Sequence, residues 1–202
     1  MERASTASRV VDAALVAFGT RGYDSTSLDA LAGELGIRKQ TILYHYSSKD
    51  ALLDAVIDEA GRELVAALED ALASAGPGFG RVEAVVRSVF RLAVRRPELL
   101  GLLREVSRLG PPHATRLRER LEPFIDRAAA FLESEMARGS VRRQDSRLLL
   151  LTSYSTVIGV ATEVEVLRAL GLETTVRTLV RRRAELIAFL RSALEGDRSA
   201  KS

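Results

Sequence analysis

Apolar positions recur every three or four residues along almost the whole chain, as in Val10, Ala14, Leu15 and Phe18 or in Phe124, Ala128, Phe131 and Leu132. That period gathers them on one stripe of an α-helix. No short run alternates apolar and polar residues as a half-buried strand would, so the pattern predicts an all-α fold. The stripes break at Gly19 to Thr26, at Gly36, at Ser47-Ser48, at Ser74 to Gly80, at Arg96-Pro97, at Gly110-Pro111-Pro112, around Gly139 and at Gly171. These breaks leave about nine helices. Before Ser47 the helices are short and tightly joined, and after it they run to roughly 15 to 25 residues, the size of bundle helices. Two domains are therefore expected, residues 1–47 and residues 48–202. The run SAGPGFG at 74–80 lacks the Gly-Lys-Ser/Thr ending of a phosphate-binding loop and reads as an interhelix linker.

The segment from Thr26 to Asp50, TSLDALAGELGIRKQTILYHYSSKD, carries the most information. Thr26 and Asp29 have capping-box spacing, so a helix begins near Ser27. Gly36 stops it, and a second helix starts near Arg38. Ala32, Gly36 and Ile42 then fit a helix-turn-helix. Ala32 is small enough for two helices to cross, Gly36 can take positive φ in the turn, and Ile42 packs back onto the first helix. Leu28, Leu31, Leu35 and Ile37 add apolar contacts, and Phe18 closes the core from the preceding helix.

With Ile42 and Tyr46 turned inward, Gln40, Leu43 and Tyr44 occupy the opposite face, flanked by Lys39, Thr41 and His45. Such a face suits the major groove. Glutamine pairs with adenine, lysine with guanine or phosphate, and the methyl groups of Thr41 and Leu43 match that of thymine. Ser47 and Asp50 have the spacing of a second capping box, which puts Lys49 in the first turn of a long helix, beside backbone amides that can hold a phosphate.

These residues resemble the TetR family of bacterial transcriptional regulators. The resemblance covers about Arg9 to Ala55, through AALVAFGTRGYDSTSLDALAGELGI and KQTILYHYSSKDALLDAV. It implies a three-helix DNA-binding domain at the N-terminus, a larger helical domain that binds an effector and dimerises, and usually repression. By position, Thr26, Lys49, Tyr44 and His45 would touch phosphates, and Lys39, Gln40, Thr41 and Leu43 would face bases of a double-stranded operator. Two positions depart from the family pattern: Arg38 stands where a small capping residue is common, and Leu43 where tyrosine is common.

Beyond about residue 60 the sequence is less specific. Stretches 147–170 and 174–194 read as long apolar helices, and in the family the last two helices usually join two subunits. Leu151, Tyr154, Val157, Ile158, Ala161, Val164, Leu167, Val176, Leu179, Val180, Leu186, Ile187 and Leu190 exceed what one bundle face requires, so a homodimer is expected. A pocket for a small, largely apolar effector is expected within about residues 81 to 170. Its candidate lining is Phe90, Leu103, Phe124, Phe131, Tyr154 and Ile158, with Arg87, Glu105, His113 or Glu163 as polar anchors. His113, after two prolines, reads as a surface loop residue.

Composition narrows the chemistry. Zero cysteines exclude disulfides, iron–sulfur sites and a cysteine nucleophile, and two histidines are too few for the usual histidine metal cages. Neither a metal nor a cofactor is expected. The first ten residues lack the apolar core of a signal peptide, and the longest uncharged run, Leu148 to Thr162, is 15 residues. That is short of the ~18 to 20 that a membrane span needs, so a cytoplasmic protein is expected. Residues 1–50 carry six basic and six acidic groups, so bulk basicity is not the argument for nucleic acid. An enzyme is disfavoured because no nucleophile, base and orienting group assemble in the sequence. A helical adaptor without DNA binding stays open, and a gel shift on DNA separates it from a ligand-responsive repressor.

Overall fold

A computed structural model describes residues 5–173 and 175–194, without the side chains of Val164, Glu165 and Val176. Thr174 and the side chains of Val164 and Val176, all assigned above to the dimer-forming helices, lie outside the described residues. Among the described residues there are ten helices and no strand: α1 (Thr6–Arg21), α2 (Leu28–Leu35), α3 (Lys39–His45), α4 (Lys49–Ala73), α5 (Phe79–Arg95), α6 (Pro97–Leu109), α7 (His113–Ala137), α8 (Ser146–Thr162), α9 (Val164–Ala169) and α10 (Val176–Leu194).

The tenth helix comes from a break at Glu163, where φ −81° and ψ 69° leave the helical region and separate α8 from α9. The residues before the break have low helix propensity: Val157, Ile158, Val160 and Thr162 are β-branched, and Gly159 lies among them.

Packing divides the chain into two units. One comprises the N-terminal residues to Ala66 with Arg96–Leu121, the other Ala67–Arg95 with the residues from Glu122 onward. This partition does not follow the boundary expected at residue 47, because α6 and the start of α7 pack with the N-terminal helices. Gly19 shows why. It lies inside α1 rather than in the expected break, and a Cβ placed on it would sit 2.0 Å from the Glu98 carbonyl oxygen. A Cβ on Gly101 of α6 would sit 2.0 Å from the Gly19 carbonyl oxygen. The two backbones touch, which only glycine permits. Phe18, Leu31, Ile42, Leu52, Ile57, Leu99 and Leu102 are fully buried in this unit. Asp58 of α4 receives Arg116 at 2.7 Å and Arg120 at 2.8 Å from α7. Burial pushes the Asp58 carboxyl up, but the two guanidinium groups outweigh it and hold it at about 2.

In the second unit α5 packs with α8 and α10, and α10 packs with α8. Ser88 Oγ of α5 donates to the Ala67 carbonyl at 3.0 Å, and Asp145 caps α8 by accepting from the Leu148 amide at 2.7 Å. Leu186, Ile187 and Leu190 are buried, so this part of the apolar stripe on α10 is used within the chain. Leu148, Leu151 and Tyr154 of α8 and Val180 and Phe189 of α10 remain exposed. No helix among the described residues is long and apolar enough to cross a membrane.

Candidate nucleic-acid interface

α2 begins at Ser27, whose hydroxyl accepts from the Ala30 amide at 3.1 Å. Thr26, expected at this cap, is instead turned inward: its residue is 2% exposed and its hydroxyl donates to the Gly22 carbonyl at 2.9 Å. The residue one step later takes the cap because Ser27, not Thr26, is the exposed extended residue before the first helical turn. α2 ends at Gly36, φ 66° and ψ 32°. The Ile37 amide reaches back to the Ala32 carbonyl at 3.0 Å and the Gly36 amide to Gly33 at 3.2 Å. This paired closure satisfies the last carbonyls and requires the left-handed conformation at Gly36. The chain then enters α3 through Arg38, which is extended and makes no side-chain cap.

α3 is only seven residues long, and its register sets the candidate interface. Ile42 is 0% exposed and points into the core with Ala32 and Leu31. On the other side Gln40 and His45 are exposed, Tyr44 is 86% exposed, and Thr41 and Leu43 are half-buried. Tyr44 meets His45 edge to face, with ring centroids 5.1 Å apart. Lys39 Nζ lies 2.8 Å from Asp29 Oδ2, an exposed ion pair that ties the first turn of α3 to the first turn of α2. Tyr46 turns back as expected, half-buried, with its hydroxyl donating to the Ala7 carbonyl at 3.3 Å.

α4 starts at Lys49, and its cap is Ser48 rather than Ser47. The Ser48 hydroxyl accepts from the Ala51 amide at 3.0 Å, and its carbonyl already accepts from Leu52. Lys49 is thus the first residue of a 25-residue helix, with its ammonium 4.0 Å from the centroid of the Tyr23 ring. Tyr23 joins this cluster although its sequence position did not single it out. Its hydroxyl donates to Asp50 Oδ1 at 2.5 Å, and its amide donates to Glu105 Oε1 at 2.7 Å. Burial and the bond to Asp50 push its phenol up. Hydrogen bonds from Arg108, and then from the Tyr23 amide, keep the mostly buried Glu105 below the usual carboxylate range. Glu105, read above as a pocket anchor, is therefore a brace for the turn before α2. His113 also differs from its surface reading: its side chain is 13% exposed, with ring nitrogens 3.7 Å from Asp50 and 3.4 Å from Asp54. Only the Gly-Tyr pair before the cap signalled any of this, since the partners of Tyr23 lie far along the chain, Asp50 27 and Glu105 82 residues downstream.

Residues 10–56 match the sequence profile of the bacterial regulatory proteins of the tetR family. The helix order and turn geometry above agree with that match. The likeness to the tetR family lies in this N-terminal segment. Over 46 residues the chain is 35% identical to IcaR, the negative transcriptional regulator of the biofilm operon icaADBC of Staphylococcus aureus (strain Newman); the match covers 23% of this chain and 25% of IcaR. Likeness to solved structures extends over nearly the full length. A TetR transcriptional regulator from Chloroflexus aurantiacus superposes with a TM-score of 0.75 at 22% identity, covering 95% of this chain and 96% of the other. The regulator FadR from Bacillus subtilis, solved with stearoyl-CoA, gives a TM-score of 0.75 at 17% identity, covering 92% and 97%. At these identities the likeness speaks for the fold.

Of the six candidate effector residues, Phe131 and Phe90 border different cavities. Leu103 is buried on α6 of the first unit. Phe90 and Ile158 are buried in the second unit, Phe124 is half-buried, and Tyr154 is exposed. Phe131 lines a cavity of about 390 Å³ with Phe79 and Arg191, and Arg81 lies over its ring. The aromatic spacing marked helix interiors and did not distinguish core from cavity wall.

Proposed function

We propose that this protein is a ligand-responsive repressor that binds an inverted-repeat operator as a homodimer and is released by a small, largely apolar effector. Residues 1–47 read the DNA, and residues 48–202 bind the effector and join the subunits. Gln40, Lys39, Thr41 and Leu43 meet base edges, while Tyr44, His45 and Lys49 hold phosphates. Thr26 serves the same contact indirectly, by fixing the turn through Gly22. One observation carries the reading: the exposed Gln40–Tyr44 face lies opposite the fully buried Ile42, with Lys49 seated at the start of the next helix. The exposed Leu148, Leu151 and Tyr154 on α8, with Phe189 on α10, supply an apolar surface for the second subunit. Two recognition helices related by a two-fold axis then fit half-sites about one turn, ~34–36 Å, or a multiple of it apart. α4 contributes residues to both units and is the carrier through which the effector acts on the DNA-reading helices.

The test starts from an operator selected from random DNA by the full-length protein. Gln40→Ala is expected to lose ~1–3 kcal/mol on that operator and to relax base preference at one position. Lys49→Ala is expected to weaken all sequences about equally and to lower the salt slope by ~1. Wild-type affinity of both variants across salt would overturn this docking.

A further inference from the structure

In the second unit, α5 and α10 face each other across a groove of about 190 Å³. Its walls include Phe90 and Val94 of α5 and Val180 of α10, and both valines are half exposed to water. Three arginines line the same groove: Arg91 and Arg95, one turn apart on α5, and Arg183 on α10. None of the three makes a hydrogen bond or an ion pair with another described residue, and no acidic side chain among the described residues lines the groove. The same two helices behave differently elsewhere. There Arg87 of α5 and Arg191 of α10 both pair with Glu83, at 3.5 and 2.8 Å.

Like charges one helical turn apart repel, and a third cation brought up by another helix adds to the repulsion. Nothing among the groove's own residues offsets it. An external anion would, and a guanidinium fork suits a carboxylate or phosphate head, which it can bind through two parallel hydrogen bonds. The exposed valines beside the arginines would at the same time be removed from water by an apolar chain. We propose that the α5–α10 groove is a binding site for an apolar organic anion, a molecule with one carboxylate or phosphate head and an aliphatic body. The inference deepens the effector reading by naming a ligand class, but the site stands on its own geometry whether or not its occupancy alters DNA binding.

The experiment is calorimetric titration of the full-length protein with decanoate, decyl phosphate, decanol and decylamine, each below its micellar concentration. Decanoate or decyl phosphate should bind, and the stronger of the two identifies the head group. Decanol should bind at least about tenfold more weakly, decylamine more weakly still, and added salt should weaken only the anions. Arg91→Gln and Arg183→Gln change exposed or half-buried side chains and should each weaken the anion about tenfold or more, leaving decanol unchanged and the melting temperature close to wild type. Equal binding of decanol and decanoate, or anion binding untouched by both variants, would overturn the proposal. Anisotropy of a labelled, selected operator, read in the presence of the bound anion, answers the separate question of effector action. An anion that binds through the arginines without releasing DNA would confirm the site and refute its role as the effector site.

Discussion

Gly101→Ala tests whether the α1–α6 crossing sets the geometry of the DNA-reading unit. The added Cβ would lie 2.0 Å from the Gly19 carbonyl oxygen and 3.0 Å from its carbon, and the nearest atoms are all backbone. No side chain can step aside, so the two helices must part by more than an ångström to restore ordinary contact. Overpacking of this kind costs ~1–3 kcal/mol, and a rigid backbone obstacle belongs at the upper end. Better helix propensity of alanine over glycine returns ~1 kcal/mol, leaving a net loss of about 2. For a chain of this length that corresponds to a fall in melting temperature of roughly 4–8 °C, read by circular dichroism. Gly33→Ala on α2 is the control, because a Cβ there meets nothing within 4 Å. It gains the propensity without the clash and should melt at or slightly above wild type. If Gly101→Ala melts as high as wild type while Gly33→Ala behaves as expected, the crossing is soft and the reasoning fails. A lowered operator affinity in Gly101→Ala at temperatures where it is fully folded would further show that the crossing positions α2 and α3.

The other expectations concern charge and assembly. Because the folded Asp58 carboxyl lies at about 2, below its ordinary value of 3.8, its contribution is fully present above about pH 4 and is lost as pH falls toward 2. Asp58→Asn should therefore lower the melting temperature at pH 7, and the gap to wild type should close on acidification. A gap independent of pH would show that packing, not ionisation, is at stake. Leu151→Arg puts a charge on the exposed stripe of α8, where the side chain is 59% exposed, and should shift sedimentation at micromolar concentration toward monomer with little change in monomer stability. A wild-type dimer in this variant would place the subunit contact elsewhere.

The fold class was legible because helical period and turn chemistry agree along the chain. Gly36 stood in the pattern as a turn glycine, and its φ of 66° is what a side chain would resist. The inward set of Ile42 and the outward set of Gln40 and Tyr44 also followed from period alone, since seven residues of helix leave little freedom of phase. Cap identities shifted by one residue at both Ser27 and Ser48, because capping-box spacing names a neighbourhood and the local extended backbone chooses the residue. The part that stayed hidden depends on pairs distant in sequence. Nothing near Gly19 shows that it touches Gly101, and nothing near Tyr23 shows that Glu105 receives its amide. The effector candidates are hard to read for a related reason: an aromatic residue on a helical stripe has the same spacing whether it fills the core, as Phe18 does, or borders open space, as Phe131 does.

The N-terminal segment has no surplus of positive charge, so the proposed affinity for DNA must come from where its few cations are held. Lys49 rests on the Tyr23 ring, and Tyr23 is itself anchored to Asp50 and Glu105, so little side-chain freedom is left to lose when a phosphate arrives. Lys39 is engaged by Asp29, and leaving that exposed pair costs only ~0–1 kcal/mol, which a base or phosphate contact offsets. The proposed docking thus neutralises few phosphates per subunit, and each one adds only about −0.9 to the salt slope. On the proposed docking, random DNA is expected to bind weakly at physiological salt. Discrimination would then rest on the short face from Lys39 to Tyr44, and Gln40→Ala is expected to change operator choice more than the loss of any single cation changes affinity.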